Sequence, residues 1–130
     1  MNAPDRTLVV AAAVVEREGR FLITRRLHGT HLEGCWEFPG GKCEPGETLE
    51  ACLIREIDEE LGAPATVGAE LLHVHHDYPD RQVDLHFFAC RLEQDPHPRL
   101  GQEMRWISRD DFDALPFPPA DAALIRMLRG

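Results

Sequence analysis

The sequence predicts an α/β fold, layered around a mixed β-sheet. Three observations carry that expectation. Extended, β-rich segments recur along most of the chain. Two segments carry helical signals instead, one at residues 48–62 and one at 120–128. The length, 130 residues, is that of one domain large enough to bury a single core. Strands mixed with helices in this proportion pack as α/β layers, so residues 1–130 are read as one domain.

Residues 7–16 are apolar and read as a buried strand; Glu18-Gly19 then turns the chain into a second strand at 20–26. Residues 27–35 are polar and loop-like. Trp36-Glu37-Phe38 is a short extended piece. Pro39-Gly40-Gly41 and Pro45-Gly46 form a glycine-rich loop, in which backbone groups can approach a ligand or metal closely. The helix after it has Thr48 as N-cap, Gly62 as left-handed C-cap and Pro64 as a stop. Ile54, Ile57 and Leu61, with Ala51 and Leu53 nearby, give it an apolar face. Residues 67–78 and 82–92 read as a hairpin through Pro79-Asp80-Arg81. A short strand at 104–108, a helical turn capped by Ser108, a rigid loop at 116–119 and a terminal helix at 120–128 complete the chain. His73, His75, His76 and Asp77 invite a metal reading, but His76 turns away from the other two on a strand. They are read as a polar hairpin face.

Charge and cysteine usage narrow the function. Fourteen basic against 23 acidic residues leave a net charge of −9, which argues against a duplex nucleic-acid binder. A nucleotide substrate is still compatible, because bound cations can offset the repulsion. Cys35, Cys43, Cys52 and Cys90 lack ligand-pair spacing, so reduced thiols in a cytoplasmic protein are expected, and no zinc site. The apolar run at 8–15 is too short for a membrane span and lacks the flanks of a signal peptide. A monomer without membrane contact is expected.

The helix also carries Glu56, Glu59 and Glu60, which fall within an arc of about 100°. Like charges that close destabilise a helix, unless a hard divalent cation uses them. The wider spacing, Gly41, Glu47, Arg55, Glu56, Ile57, Glu59, Glu60 and Gly62, resembles the Nudix box, G-x5-E-x7-R-E-U-x-E-E-x-G-U, where U is a bulky aliphatic residue. Ala63 departs from it at the last, packing position. Arg25-Arg26, residues 36–41, 78–81 and 117–121 are similar to MutT-type nucleoside triphosphate pyrophosphohydrolases, so the resemblance covers nearly the whole chain.

The resemblance implies a Nudix α/β/α sandwich and magnesium-dependent hydrolysis of a nucleoside triphosphate to the monophosphate and pyrophosphate, with manganese as alternative cation. It assigns Gly40, Glu56, Glu59 and Glu60 to the metal, and Glu47 with Arg55 to holding the helix and loop in place. MutT-type enzymes carry a further glutamate where this chain has Leu100; Glu103 is the expected substitute, as metal ligand or general base. Arg26 and His31 match phosphate- or sugar-contacting positions, Phe38 a nucleobase wall, and Asp80 and Arg81 a further substrate-binding segment. Asp121 stands where the MutT pattern has asparagine. An ionised aspartate only accepts hydrogen bonds, whereas asparagine also donates. That suits oxidised guanine nucleotides such as 8-oxo-dGTP, with CTP or 5-methyl-dCTP as the alternative, and capping of the last helix as a competing role. A non-catalytic Nudix-fold module that binds damaged bases is the rival of another class; the full set of box carboxylates argues against it.

Overall fold

The computed structural model describes residues 7–130. Its elements are β1 (Thr7–Arg17), β2 (Arg20–Arg25), β3 (Trp36–Glu37), β4 (Gly40–Lys42), α1 (Leu49–Leu61), β5 (Ala65–Tyr78), β6 (Arg81–Leu92), β7 (Met104–Ser108) and α2 (Ala122–Arg129), with single-turn helices at Arg109–Ala114 and Pro119–Asp121. The sheet runs β3-β2-β1-β6-β5, with β4 paired to β1 and β7 to β2. The β1–β6 pair is parallel and the others antiparallel, so the sheet is mixed as expected.

β1 is apolar at successive positions because both of its faces are covered. Ala11, Ala13 and Val15 pack under α1 with Leu53, Ile57 and Leu61. Ala12 and Val14 face the other way, onto Phe112 and Leu124 of the C-terminal segment. The two helices therefore sandwich the sheet. Among the described residues, no helix is long and apolar enough to cross a membrane.

The caps of α1 are those read from the sequence. The Thr48 hydroxyl accepts from the Ala51 N–H at 3.1 Å, and Gly62, at φ 63°, donates to Asp58 O. Its buried face agrees at Leu53, Ile57 and Leu61 and differs at the other expected positions. Cys52, Leu53, Ile57 and Leu61 point inward, whereas Ile54 is 38% exposed and Ala51 lies outside. The sheet meets the helix one residue round from the stripe centred on Ile54.

Two further expectations need correction. Gly40–Lys42, read as loop, is a strand on β1, with Gly40 opposite Ala12. It can lie there because a Cβ on Gly40 would run into the β1 backbone, 2.7 Å from Ala12 Cα. Cys43 and Cys52, read as reduced thiols, are paired as a disulfide, while Cys35 and Cys90 are free. β4 delivers Cys43 beneath the second turn of α1, with the two Cα atoms 5.2 Å apart. No local spacing announces this, because the chain leaves the sheet and returns as a helix between them.

Candidate active site

Arg55 organises the acidic face of α1. Its Nε and Nη2 donate to the two carboxylate oxygens of Glu47, at 2.6 and 2.9 Å. Nη1 donates to Glu56 at 2.8 Å and reaches Glu59 at 3.4 Å, and Nη2 also donates to the Lys42 carbonyl at 3.0 Å. One guanidinium thus ties the glycine loop, β4 and the helix together. The Arg55 hydrogen bond, then the Glu44 N–H, hold the Glu47 carboxyl down at about 2. The partnership expected of Glu47 and Arg55 is therefore present, and Arg55 is far more than an i, i+4 partner of Glu59.

Glu60 is in the opposite situation. Burial first, then a hydrogen bond with Glu56 and repulsion from Glu37 and Glu56, push its carboxyl up to about 9; the Gly40 N–H opposes this. Three carboxyl groups crowd together here; Arg55 pairs with Glu56 and Arg26 with Glu37, while Glu60 keeps its proton instead. Among the described residues, no three metal-binding side chains already surround one point. The donor set is nevertheless all oxygen, as hard cations require, and a dication there would relieve the strain on Glu60. Gly41 leaves the space that the Glu56 carboxylate fills, since a Cβ there would overlap it. Gly41→Ala is therefore expected to displace Glu56 and lower kcat at least about tenfold, with the circular-dichroism spectrum unchanged. Wild-type kcat in that variant would mean that the Glu56 position is unimportant.

A cavity of about 310 Å³ opens beside these groups, lined by Arg26, Glu37, Phe38, Gly40, Gly41, Lys42, Glu60, Arg81 and Asp121 among others. Arg26 donates from Nη1 to Glu37 at 2.8 Å and from Nε to the His31 carbonyl, so it already has partners on two sides. His31 packs edge-on against Tyr78, and its buried Nε2 has no hydrogen-bond partner. Burial, then the Arg81 charge, lower its pKa, so it is a neutral imidazole at pH 7. Asp80 faces His31 at 4.0 Å and Arg81 at 3.3 Å, outside the cavity wall that Arg81 helps to form. Phe38 serves both as wall and as core: it is 3% exposed and packs against Phe87, Phe112 and Phe117.

Asp121 is 4% exposed and lines the cavity. It makes no side-chain cap to α2, which removes the capping role. Its expected ionised state also needs correction. Burial first, and repulsion from Glu37 second, push it up to about 8, with Arg26 opposing. At neutral pH it is mainly the carboxylic acid, which both donates and accepts, as asparagine does.

Glu103 is not brought to the cavity. Its carboxylate, 54% exposed, pairs with Arg25 at 2.9 Å, while Leu100 and Gln102 line the wall. Its place opposite Arg25, next to the Thr24–Met104 pair of the β2–β7 ladder, turns it to the solvent side. Glu103→Gln is expected to keep kcat within about twofold, the scale of an exposed ion pair; a large fall in kcat would restore it to the reaction. Three cavity residues escape the sequence reading: Lys42, Glu37 and Gln102. Glu37 lies close enough to act on both Glu60 and Asp121. Gln102, 8% exposed, donates to the Glu60 carbonyl at 3.1 Å and accepts from the Leu100 N–H. Glu37 was visible within Trp36-Glu37-Phe38-Pro39-Gly40-Gly41; nothing local marks Gln102.

A helix with this acidic face, preceded by a glycine strand and packed on a mixed sheet that a second helix covers from the other side, is the arrangement of a Nudix hydrolase. The NUDIX domain family matches residues 10–127, and the chain belongs to it. It is 38% identical over 128 residues to an 8-oxo-dGTP diphosphatase of Haemophilus influenzae, covering 95% of this chain and 93% of that one. It is 34% identical to a CTP pyrophosphohydrolase of Escherichia coli, covering 92% and 90%. The solution structure of the E. coli ORF135 protein superposes with a TM-score of 0.82 at 32% identity, over 94% of this chain and 88% of that one.

Proposed function

We propose that this protein is a magnesium-dependent nucleoside triphosphate pyrophosphohydrolase that sanitises oxidised guanine nucleotides, 8-oxo-dGTP first among them. The observation that carries the reading is one cavity holding both Glu60 of the acidic helix and the buried Asp121. Its volume, about 310 Å³, is in the range of small-molecule sites.

Glu56, Glu59 and Glu60 would hold the cation, with the Gly40 backbone beside them. When bound, magnesium would neutralise phosphate charge and make a water nucleophilic at neutral pH. The chain's own residues supply the rest. Lys42 and Arg81 line the cavity as cations for the phosphate chain. Arg55 and Glu47 fix the acidic face relative to the glycine strand. Phe38 and Pro118 wall the base, and Asp121 reads its edge. Water oxygen bonds to phosphorus, the anhydride bond breaks, pyrophosphate leaves, and a carboxylate of the acidic face takes the proton.

A cytidine triphosphate reading is the second, favoured by the same neutral Asp121. Cytosine presents an N–H beside a ring acceptor, which a carboxylic acid also complements. With its net charge of −9, the enzyme would act on free nucleotides and not on duplexes. Turnover with magnesium tests both readings, scored as kcat/KM from pyrophosphate release for 8-oxo-dGTP, dGTP, CTP and 5-methyl-dCTP, and from AMP release for ADP-ribose. Preference for 8-oxo-dGTP is expected. No pyrophosphate from any triphosphate would overturn the activity, and a preference for ADP-ribose would overturn the substrate class.

A further inference from the structure

The β5–β6 hairpin gathers a second group of ligating side chains, none of which lines the cavity. In its register His73 stands opposite His86, and His75 opposite Asp84. Directly paired residues, and residues two apart, project from one face of a sheet. Asp84 Oδ1 lies 2.7 Å from His75 Nδ1 and 3.6 Å from His73 Nε2. Two imidazole nitrogens from neighbouring rows thus approach one carboxylate oxygen. Donor atoms around a tetrahedral ion with bonds of about 2.0–2.1 Å stand roughly 3.3 Å apart. The two separations bracket that spacing.

The surroundings are also those of a ligand set. The far nitrogen of His75, Nε2, meets Asp77 Oδ1 at 3.0 Å. A carboxylate holding the far nitrogen is the usual partner of a metal-bound imidazole, because it fixes the ring and raises its basicity. His73 is held by stacking on His86, with ring centroids 4.0 Å apart and planes 12° apart, and His86 Nδ1 is 2.8 Å from Glu70 Oε2. The group carries three carboxylates against three imidazoles, so a dication is favoured electrostatically.

We propose that His73 Nε2, His75 Nδ1 and the Asp84 carboxylate bind a transition-metal dication of the zinc or nickel type, at a site separate from the acidic face of α1. Imidazole donors select such ions, whereas the all-oxygen face of α1 selects magnesium. Asp84 Oδ1 itself now lies against both ring nitrogens, and among the described residues no three donors yet surround a common point. A rotation of that carboxylate about its own side-chain bonds makes room without moving the strands.

Calorimetric titration with zinc chloride, in excess magnesium that keeps the α1 carboxylates filled, tests the site. Cobalt(II) repeats it with an optical readout. One equivalent of zinc is expected to bind, with the visible bands of tetrahedral cobalt and a higher melting temperature for the loaded protein. His75→Ala and Asp84→Asn should each weaken binding at least about tenfold, while His76→Ala and Glu59→Gln leave it unchanged. The side chains concerned are partly exposed, and melting curves without zinc check that the variants fold. Absence of zinc binding in excess magnesium overturns the proposal. So does full affinity in His75→Ala, or in Asp84→Asn, which would reduce the site to surface imidazoles. Loss of binding in Glu59→Gln would place the zinc on α1 instead.

Discussion

Replacing Glu60 by Gln is expected to remove about a hundredfold or more of kcat with magnesium, and at the same time to raise the melting temperature of the metal-free protein. Both effects come from one carboxylate. Burial, then the hydrogen bond with Glu56 and the Glu37 charge, push it up to about 9, from an ordinary value of 4.5. Below about pH 4.5 the folded and unfolded chains both hold this proton, and the group adds no pH dependence. Between there and about 9 the unfolded chain has lost the proton while the folded one keeps it. The folded state then binds more protons, so stability falls as pH rises through that window. Gln has no proton to lose. The variant should match wild type near pH 4 and exceed it at pH 7 to 8, by at least about 1 kcal/mol, the low end for a poorly compensated buried polar group. Magnesium should raise the wild-type melting temperature much more than that of the variant, since ligand binding stabilises only a fold that binds it. Retention of most of the kcat would remove Glu60 from the metal site. A stability gap that ignores pH would show that its charge is not the source of the strain.

How much of this site was legible in the sequence depended on how local each feature is. The α1 helix, its caps and its three glutamates were readable because helical spacing places them without help from the rest of the fold. The Arg55–Glu47 pair followed from the box resemblance, and the two residues do meet. Features that need the sheet were not readable. Gly40–Lys42 becomes a strand only because β1 offers its edge, and Cys43 finds Cys52 only once α1 lies on that strand. Which side of α1 is buried depended on where the sheet lies, so Ile54 was misplaced while Cys52 was missed. The expected role of Glu103 came from its distance along the chain to Leu100. Strand alternation next to β7 decided otherwise, and Arg25 holds it. Protonation was out of reach for the same reason: the sequence gives no burial for Asp121 and no neighbour such as Glu37.

The state of Asp121 leads to a second large effect, a preference between substrates that changes with pH. With its carboxyl pushed up to about 8, Asp121 is mainly the neutral acid at pH 6.5 and mainly the anion at pH 9. The neutral acid donates once and accepts; the anion only accepts. Cytosine offers an amino N–H beside the ring N3 acceptor, so it matches the acid and opposes its N3 lone pair to the anion. 8-Oxoguanine matches both forms: N7–H beside O6 suits the acid, and N1–H beside the 2-amino group suits the anion. The ratio of kcat/KM for 8-oxo-dGTP to that for CTP should therefore rise about tenfold from pH 6.5 to pH 9, where roughly a tenth of such a group remains neutral. A mismatched buried hydrogen bond costs about 1–3 kcal/mol, which is large enough to produce that change. Taking the ratio cancels effects common to both substrates, including titration on the acidic face of α1. Asp121→Asn fixes one donor and one acceptor at every pH, so its ratio should stay flat and resemble that of wild type at low pH. A wild-type ratio that is flat across the range, or a slope that survives in Asp121→Asn, would show that some other group reads the base.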